Sequence, residues 1–172
     1  MDNWDRPSGR PLREIPREGD NHAFLLKALH EASGELEGEF YNLRPRQLAW
    51  HEQDSWSLVQ IAGHLRDREE MHLSYLHAIL SARRPLLEII DLESLIEEND
   101  YRPEQIHELL YGFAELRERA LYRLYNLSPS QWQRDGEHPY RGRISIEQIV
   151  KEINEHDLAH LWQVMRLKQA LV

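Results

Sequence analysis

The fold is decided by residues 145–170, which read SIEQIVKEINEHDLAHLWQVMRLKQA. Ser145 is predicted to cap a helix, because Gln148 stands three residues later as the second half of a capping box. An apolar stripe follows at three- and four-residue spacing, which is typical of a helix with one buried face. Its positions are Ile149, Ile153, His156, His160, Val164 and Leu167. The stretch therefore predicts a long helix that points two histidines toward a core.

His156 and His160 are spaced for a shared ligand. A separation of four residues leaves two side chains about 40° apart around the helix axis and about 6 Å apart along it. Two imidazoles so placed can bind one metal ion, since imidazole is the commonest protein metal ligand. Alternatively, each ring is a core histidine that a nearby carbonyl or carboxylate satisfies. The spacing alone leaves both interpretations open.

Length and composition indicate one globular domain. The chain has 172 residues, of which 41% are hydrophobic and 30% are charged, and this is enough for a single sizeable core. Apolar runs fall short of the roughly 20 residues that cross a bilayer, and the first five residues lack the apolar segment of a signal peptide. We therefore expect a cytoplasmic protein with no membrane partner.

Cysteine does not occur in the sequence. This excludes disulfides, thiolate metal sites and a cysteine nucleophile, so any metal must be bound by nitrogen and oxygen ligands. The net charge is -9, and the basic residues are spread along the chain. A nucleic-acid partner is not expected, because nucleic-acid-binding proteins carry clustered basic residues.

The N-terminal residues differ in composition from the rest. Residues 1–19 contain three prolines and are expected to form an extended arm, followed by one domain over residues 20–172. The first helix of that domain is predicted from about Asp20 to the break at Arg44-Pro45.

The second predicted helix has the same start signal as the last one. Ser57 is the expected cap and Gln60 its partner, and the helix should run over residues 58–83. His64 lies at the edge of its apolar stripe. Asp67, three residues further, shares that face and could orient the His64 ring or another group in a site.

A third helix is predicted from Pro103 to Leu127, since proline suits the first helical position. The connection over residues 84–102 is expected to contain one short helical turn, from Leu92 to Glu97. We find no convincing strand pair in the sequence. Four long amphipathic helices without strands predict an all-α four-helix bundle.

Several segments resemble a known family. Those that resemble the DinB/YfiT-like superfamily are Trp56-Ser57-Leu58, Gly63-His64-Leu65-Arg66-Asp67 and His156-Asp157-Leu158-Ala159-His160-Leu161-Trp162-Gln163. Those that resemble its DinB_2 branch are Asp100-Tyr101, Phe113–Arg119 and His138-Pro139 with Gly142. The resemblance covers nearly the whole chain, and the segments occur in the family's order.

The resemblance implies a metal site in a four-helix bundle. In the family, a histidine of the second helix and an H-x3-H pair of the fourth bind one divalent metal. This implies His64, His156 and His160 as the ligands here. Residue spacing by itself indicates only the last two.

The resemblance also implies an enzyme. Relatives include thiol S-transferases that use bacillithiol or mycothiol, a maleylpyruvate isomerase with a thiol cofactor, and proteins described as metal-dependent hydrolases. Three neutral histidines leave Zn²⁺ or Ni²⁺ with an open position for a water or a thiol, the group that would carry the chemistry. We therefore expect a metal-dependent hydrolase or thiol S-transferase with a small-molecule substrate, the second with a low-molecular-weight thiol as cosubstrate. The alternative is a non-catalytic helical-bundle binding protein whose metal is structural or absent.

Other residues near these motifs carry further expectations. Asp67 and His138 are the remaining catalytic candidates, although a structural His-Pro turn also explains His138. His156-Asp157-x-x-His160 is similar to the zinc-protease motif H-E-x-x-H, but aspartate is one methylene shorter than the usual base. Asp157 is therefore expected to be a supporting or surface carboxylate.

Two expectations concern surfaces. The run Arg117-Glu118-Arg119 is expected to be a solvated helix face. Four leucines lie beyond one clean stripe on their helices and indicate a homodimer that buries them. They are Leu26, Leu73, Leu110 and Leu121.

Overall fold

The computed structural model describes residues 22–171, so the arm expected at residues 1–19 lies outside the described residues. In chain order the elements are α1 (His22–Phe40), α2 (Pro45–Leu48), α3 (Leu58–Ser81), α4 (Leu92–Asn99), a 3₁₀ turn (Pro103–Gln105), α5 (Ile106–Tyr125), α6 (Pro129–Trp132), β1 (Asp135–His138), β2 (Gly142–Ser145) and α7 (Ile146–Gln169). Helices α1, α3, α5 and α7 are long and form the all-α four-helix bundle that the sequence predicts. Across the described part of the chain, each helix is too short or too polar to cross a membrane.

Chain neighbours in this bundle are not always packing neighbours. Both α1 and α3 pack on α5 and α7, so the order around the bundle is α1, α5, α3, α7. The two apolar clusters also give the directions of the helices. One cluster joins the first half of α1 and α7 to the second half of α3 and α5, and the other cluster joins the remaining halves. Helices α1 and α7 therefore run one way, and α3 and α5 run the other. Since α3 and α5 are parallel, residues 82–105 must return along the bundle. They do so beside α3, where the Glu88 carbonyl accepts a 2.7 Å hydrogen bond from Tyr75.

Capping boxes begin both helices that carry the predicted metal ligands. The Ser57 hydroxyl accepts a 3.3 Å hydrogen bond from the Gln60 N–H, and the Gln60 side chain accepts one of 2.9 Å from the Ser57 N–H. Ser145 and Gln148 repeat this exchange at 3.2 and 2.8 Å. The predicted helix starts are confirmed, and each box satisfies two backbone N–H groups at the start of its helix.

The β-hairpin shows that the expectation of no strand pair is wrong. Strands β1 and β2 pair antiparallel, from Asp135 opposite Ser145 to His138 opposite Gly142. Their sequences, DGEH and GRIS, hardly alternate between apolar and polar residues, so periodicity could not indicate them. Gly142 takes a φ of 73°, a left-handed conformation that favours glycine, and Arg143 is ion-paired with Asp135. Turn geometry and charge pairing therefore form the hairpin.

The bundle has two apolar ends and a polar middle. At one end, buried residues of the four long helices form a cluster that includes Leu25, Leu76, Leu121 and Ile149. At the other end, the corresponding residues include Leu36, Ile61, Phe113 and Val164. Between the two clusters each long helix carries buried polar side chains, among them Ser33, Glu69, Arg117 and Asp157. This polar layer is where the candidate site lies.

The four leucines that indicated a homodimer are all buried inside the single chain. Their exposed fractions lie between 4% and 8% for Leu26, Leu73, Leu110 and Leu121. They belong to the two apolar clusters, where the neighbouring helices of the same chain cover them. They do not supply an additional surface, so the homodimer stays a prediction without an assigned interface.

Candidate metal centre

Three histidines from two helices meet in the polar layer. His64 lies in the second turn of α3, and His156 and His160 occupy successive turns of α7. The Nε2 atom of His156 lies 3.0 Å from that of His64 and 2.9 Å from that of His160. One ring nitrogen from each residue can be chosen so that all three lie within 4.8 Å of one another. We call these residues the histidine cluster.

Hydrogen bonding does not account for this arrangement. A neutral imidazole has one N–H donor and one ring lone pair. The Nδ1 atom of His160 lies 2.8 Å from the amide oxygen of Gln163, so Nδ1 carries the proton and Nε2 presents its lone pair. If His156 donates from Nε2 to His160, it has no lone pair left with which to bond His64. One of the two short contacts therefore lacks a hydrogen bond, whereas one cation would satisfy three lone pairs.

The environment keeps all three rings neutral. Burial, with the charges of His160 and Arg68 added, lowers the pKa of His64 to about 3. Burial and the same two charges lower the pKa of His156. Burial also lowers the pKa of His160, although its hydrogen bond to Gln163 opposes this. Neutral imidazole is the form that binds a metal ion.

The donor set fits one divalent cation. Nitrogens that bind one tetrahedral zinc at 2.0–2.1 Å lie roughly 3.3–3.4 Å apart, close to the two short contacts. Imidazole nitrogens suit Zn²⁺ and Ni²⁺. The bond from His160 to Gln163 is of the kind that orients a metal-binding ring. His64 lacks such a bond among residues 22–171, since its buried Nδ1 has no partner there.

Trp56 covers one side of the histidine cluster. Its ring centroid lies 4.8 Å from that of His64 and 6.4 Å from that of His160. The same side chain lines a cleft of about 390 Å³ together with His51, Gln60 and other residues. Trp56 therefore separates the cluster from a solvent-facing cleft.

Asp67, the first of the two further catalytic candidates, is bound elsewhere. Its carboxylate accepts a 2.7 Å hydrogen bond from Arg66 and a second hydrogen bond from the hydroxyl of Tyr101. The Tyr101 ring lies directly against Gly63, where a Cβ would collide with it. Asp67 thus fixes the returning connection, residues 82–105, on α3. It lies about one helical turn from His64 and does not hydrogen-bond to the His64 ring.

His138, the second candidate, lies in the hairpin turn. Its Nδ1 atom accepts hydrogen bonds from the backbone N–H groups of Tyr140 and Arg141, at 3.2 and 3.3 Å. This arrangement stabilises the turn between β1 and β2. It matches the structural interpretation of His138, and the ring is not part of the histidine cluster.

A second polar cluster lies in the same layer, and its centre was expected at the surface. Arg117 is only 1% exposed, so the expectation of a solvated face is wrong for this residue. Its guanidinium donates two hydrogen bonds to Glu69, of 2.7 and 2.8 Å, and two to Asp157, of 2.8 and 3.1 Å. A fifth, of 2.9 Å, goes to the Leu29 carbonyl. We call Arg117, Glu69 and Asp157 the arginine cluster.

The arginine cluster also defines the role of Asp157. The carboxylate is buried and bound by Arg117, so it is a supporting residue and not a surface one. Burial raises the pKa of Asp157, and Arg117 opposes this. Burial alone would lower the pKa of Arg117, but Asp157 and Glu69 outweigh it and raise it. A carboxylate held in this way is not available as the base of a protease motif.

A sequence signal for the arginine cluster does exist. Arg117 follows Phe113 by four residues and precedes Ala120 by three, so it stands in the apolar stripe of its helix. Glu69 stands four residues from both Leu65 and Leu73, and Asp157 stands four residues after Ile153 and seven before Val164. One basic and two acidic residues at stripe positions of three helices indicate a buried ion-pair network.

The comparisons with known proteins agree with this architecture. The DinB_2 model of the DinB superfamily matches residues 28–164. The chain belongs to the DinB superfamily. Among curated proteins, no significant match is found.

One solved structure shares the fold of this DinB superfamily member. YfiT from Bacillus subtilis matches with a TM-score of 0.83 and 20% sequence identity, over 91% of this chain and 92% of that chain. It is described as a probable metal-dependent hydrolase with an unusual four-helix bundle topology. At this identity the likeness establishes the four-helix bundle.

Proposed function

We propose that this chain is a metal-dependent hydrolase whose divalent cation is bound by His64, His156 and His160. The observation that carries the proposal is the convergence of their Nε2 atoms, at 3.0 and 2.9 Å, in a set that hydrogen bonds cannot satisfy. Membership of the DinB superfamily and the description of YfiT as a probable metal-dependent hydrolase add support.

The proposed cation is Zn²⁺ or Ni²⁺. Three neutral ligands leave its double charge intact and one position open, so when bound it acts as a Lewis acid that makes a water more acidic. The protein's own part is to hold the three rings neutral and oriented. Gln163 fixes the proton of His160 on Nδ1, and Trp56 shields the rings of His64 and His160 from the adjoining cleft.

A comparison of substrates with and without thiols tests the reaction. We expect the zinc-loaded or nickel-loaded protein to hydrolyse members of an ester and amide panel, and His64→Ala to lose that activity while the exposed His77→Ala keeps it. Monochlorobimane with bacillithiol, mycothiol or glutathione is run in parallel. Thiol-dependent conjugation that is lost in His64→Ala would select S-transfer with a thiol cosubstrate. A fully loaded protein that is inactive in both assays would instead be a binding protein with a structural metal.

We also propose that the protein is a homodimer and that it is cytoplasmic. The structure leaves several aromatic side chains exposed on α5, including Tyr111, Tyr122 and Tyr125, and a dimer would have to use such a surface in place of the buried leucines. Light scattering at micromolar concentration should give twice the mass of the chain. A monomer mass would reject the homodimer.

A further inference from the structure

Arg68 lies beside the histidine cluster but takes no part in either polar cluster. It follows His64 by one helical turn on α3 and precedes His72 by another, so the three side chains share one face of the helix. Long side chains on a helix lean toward its N-terminus, so the Arg68 side chain extends over the turn that carries His64. The guanidinium therefore extends toward the histidine cluster.

The hydrogen bonds of Arg68 are incomplete. Its Nε atom is fully enclosed and has no hydrogen-bond partner within residues 22–171. An enclosed N–H group without an acceptor is rare, because it has lost its hydration and gained no hydrogen bond. The preceding arginine on the same helix shows the usual arrangement, since Arg66 donates 3.1 and 2.7 Å hydrogen bonds to Asp67. The Nε–H group of Arg68, in contrast, is a donor without an acceptor.

The two carboxylates that act electrostatically on Arg68 are already bound by other arginines. Glu152, one turn before His156 on α7, accepts a 3.1 Å hydrogen bond from Arg141. Asp157 is bound by Arg117 at 2.8 Å. Both carboxylates act on the pKa of Arg68, which burial lowers and their charges raise, yet neither is within ion-pair distance of it. The Nε–H group of Arg68 therefore has no acceptor among the described residues and can donate to a ligand from outside the chain.

We propose that Arg68 binds an anionic group of the substrate, a carboxylate or a phosphate, while the histidine cluster binds the reacting end through its metal. This rests on the proposed function. The planar fork of guanidinium donors matches the paired oxygens of either group. Neutral histidines do not offset the charge of a bound cation, so an anion beside it is favoured by both the cation and Arg68. Arg68 is thus a specificity-determining residue, and the substrate class is small anionic molecules.

Binding of matched ligands to the zinc-loaded protein tests this inference. We would use three hydroxamates whose two-carbon tails end in a carboxamide, a carboxylate or a phosphonate, and titrate each by calorimetry. The hydroxamate end binds the metal in every case, so differences in affinity report the tail. We expect the anionic tails to bind about tenfold or more tightly than the carboxamide, as charge-assisted hydrogen bonds would give. The order of carboxylate and phosphonate identifies which anion the site prefers.

Variants assign the preference to Arg68. Arg68→Gln should bind zinc and the carboxamide as the native chain does but lose the preference for anionic tails, and Arg68→Lys should keep part of it. Arg119→Gln removes the same charge from an exposed position of α5 and should change nothing. Equal binding of the three hydroxamates by the zinc-loaded native protein would overturn the role of Arg68 and leave the metal site intact.

A measurement on the metal-free protein separates the two proposals. The ¹H–¹⁵N resonance of the Arg68 Nε–H group should shift when inorganic phosphate or acetate is added, whether or not metal is present. A protein that fails to bind zinc but shows this shift would lose the proposed function and keep the anion site. If the resonance does not respond to either anion, the inference is wrong.

Discussion

The histidine cluster and the arginine cluster lie in one polar layer and share helices α3 and α7, yet their hydrogen-bonding groups are satisfied to different extents. In the arginine cluster, all five N–H donors of Arg117 have acceptors at 2.7–3.1 Å. In the histidine cluster, three Nε2 atoms converge without a consistent set of hydrogen bonds, and Nδ1 of His64 has no partner within the described part of the chain.

This difference separates structural from functional polar residues. A buried network whose donors and acceptors are all paired stabilises one arrangement of helices and has nothing left to bind a ligand. A buried set with unused lone pairs is costly unless a ligand completes it. On this criterion Arg117 holds α1, α3, α5 and α7 together, while His64 and its partners, with Arg68 beside them, form the proposed binding site.

Replacement of Arg117 should have the largest effect on stability. In Arg117→Met, Glu69 and Asp157 remain buried without their cation, and we expect the free energy of unfolding to fall by about 3–5 kcal/mol. Urea denaturation of the metal-free protein measures this. The triple variant Glu69→Leu, Arg117→Met, Asp157→Leu should recover most of the loss, because no buried charge is left unpaired. If Arg117→Met were as stable as the native chain, the arginine cluster would not be structural.

Replacement of a histidine of the histidine cluster should lower metal affinity strongly and change stability little. His156→Ala removes one of three proposed ligands, so we expect zinc affinity to fall by about a hundredfold or more, while the stability of the metal-free protein changes by less than about 1 kcal/mol. Competition with a chromogenic chelator gives the affinity. The exposed His77→Ala is the matched control and should bind zinc normally. Undiminished zinc binding in all three cluster variants would reject the ligand assignment.

The two clusters also differ in how far the sequence predicts them. The capping boxes at Ser57 and Ser145 and the spacing of His156 and His160 are local signals, so both helices and the inward pair are predictable. The pairing of His64 with them depends on the packing of α3 against α7, and only the family resemblance indicates it. The charged run Arg117-Glu118-Arg119 predicts a solvated face, although the stripe position of Arg117 predicts burial.

The tertiary arrangement is the least predictable part. Four amphipathic helices indicate a bundle, but the diagonal placement of α1 and α3 follows from how residues 82–105 return along α3. That return depends on contacts such as Tyr101 against Gly63, between residues that no periodic pattern relates. The hairpin at residues 135–145 depends on Gly142 and on the pairing of Arg143 with Asp135, which periodicity does not report.

Acid should act mainly on the histidine cluster. The pKa of His64 is lowered to about 3 in the folded chain, whereas an unfolded histidine keeps about 6.5. Above pH 6.5 the His64 side chain is neutral in both the folded and the unfolded chain. Below pH 6.5 it takes up a proton in the unfolded chain but stays neutral in the folded chain. Stability is therefore lost as the pH falls from 6.5 toward 3, by about 1–2 kcal/mol over the first one to two pH units for one such histidine.

Denaturation of the metal-free protein at pH 7.0, 6.0 and 5.0 measures this slope. His64→Gln should make the slope shallower without abolishing it, because glutamine does not titrate while His156 and His160 keep their lowered pKa values, and the exposed His107→Gln should leave the slope unchanged. Bound zinc should also dissociate over the acid range, since protonation competes for the same nitrogens. An identical slope in the native chain and His64→Gln would show that His64 is not held neutral by burial.

The smallest effect is expected from Gln163, which touches the histidine cluster without belonging to it. Its amide oxygen accepts the Nδ1 proton of His160 at 2.8 Å and so keeps the Nε2 lone pair directed at His156. Gln163→Leu removes the acceptor but little volume, and we expect zinc affinity to fall by about tenfold with hardly any change in stability. Gln163→Glu offers an oxygen to the same proton and should restore the affinity, whereas Gln169→Leu at the exposed end of α7 should have no effect. If Gln163→Leu bound zinc as tightly as the native chain, the orientation of His160 would come from packing against Trp56 and not from this hydrogen bond.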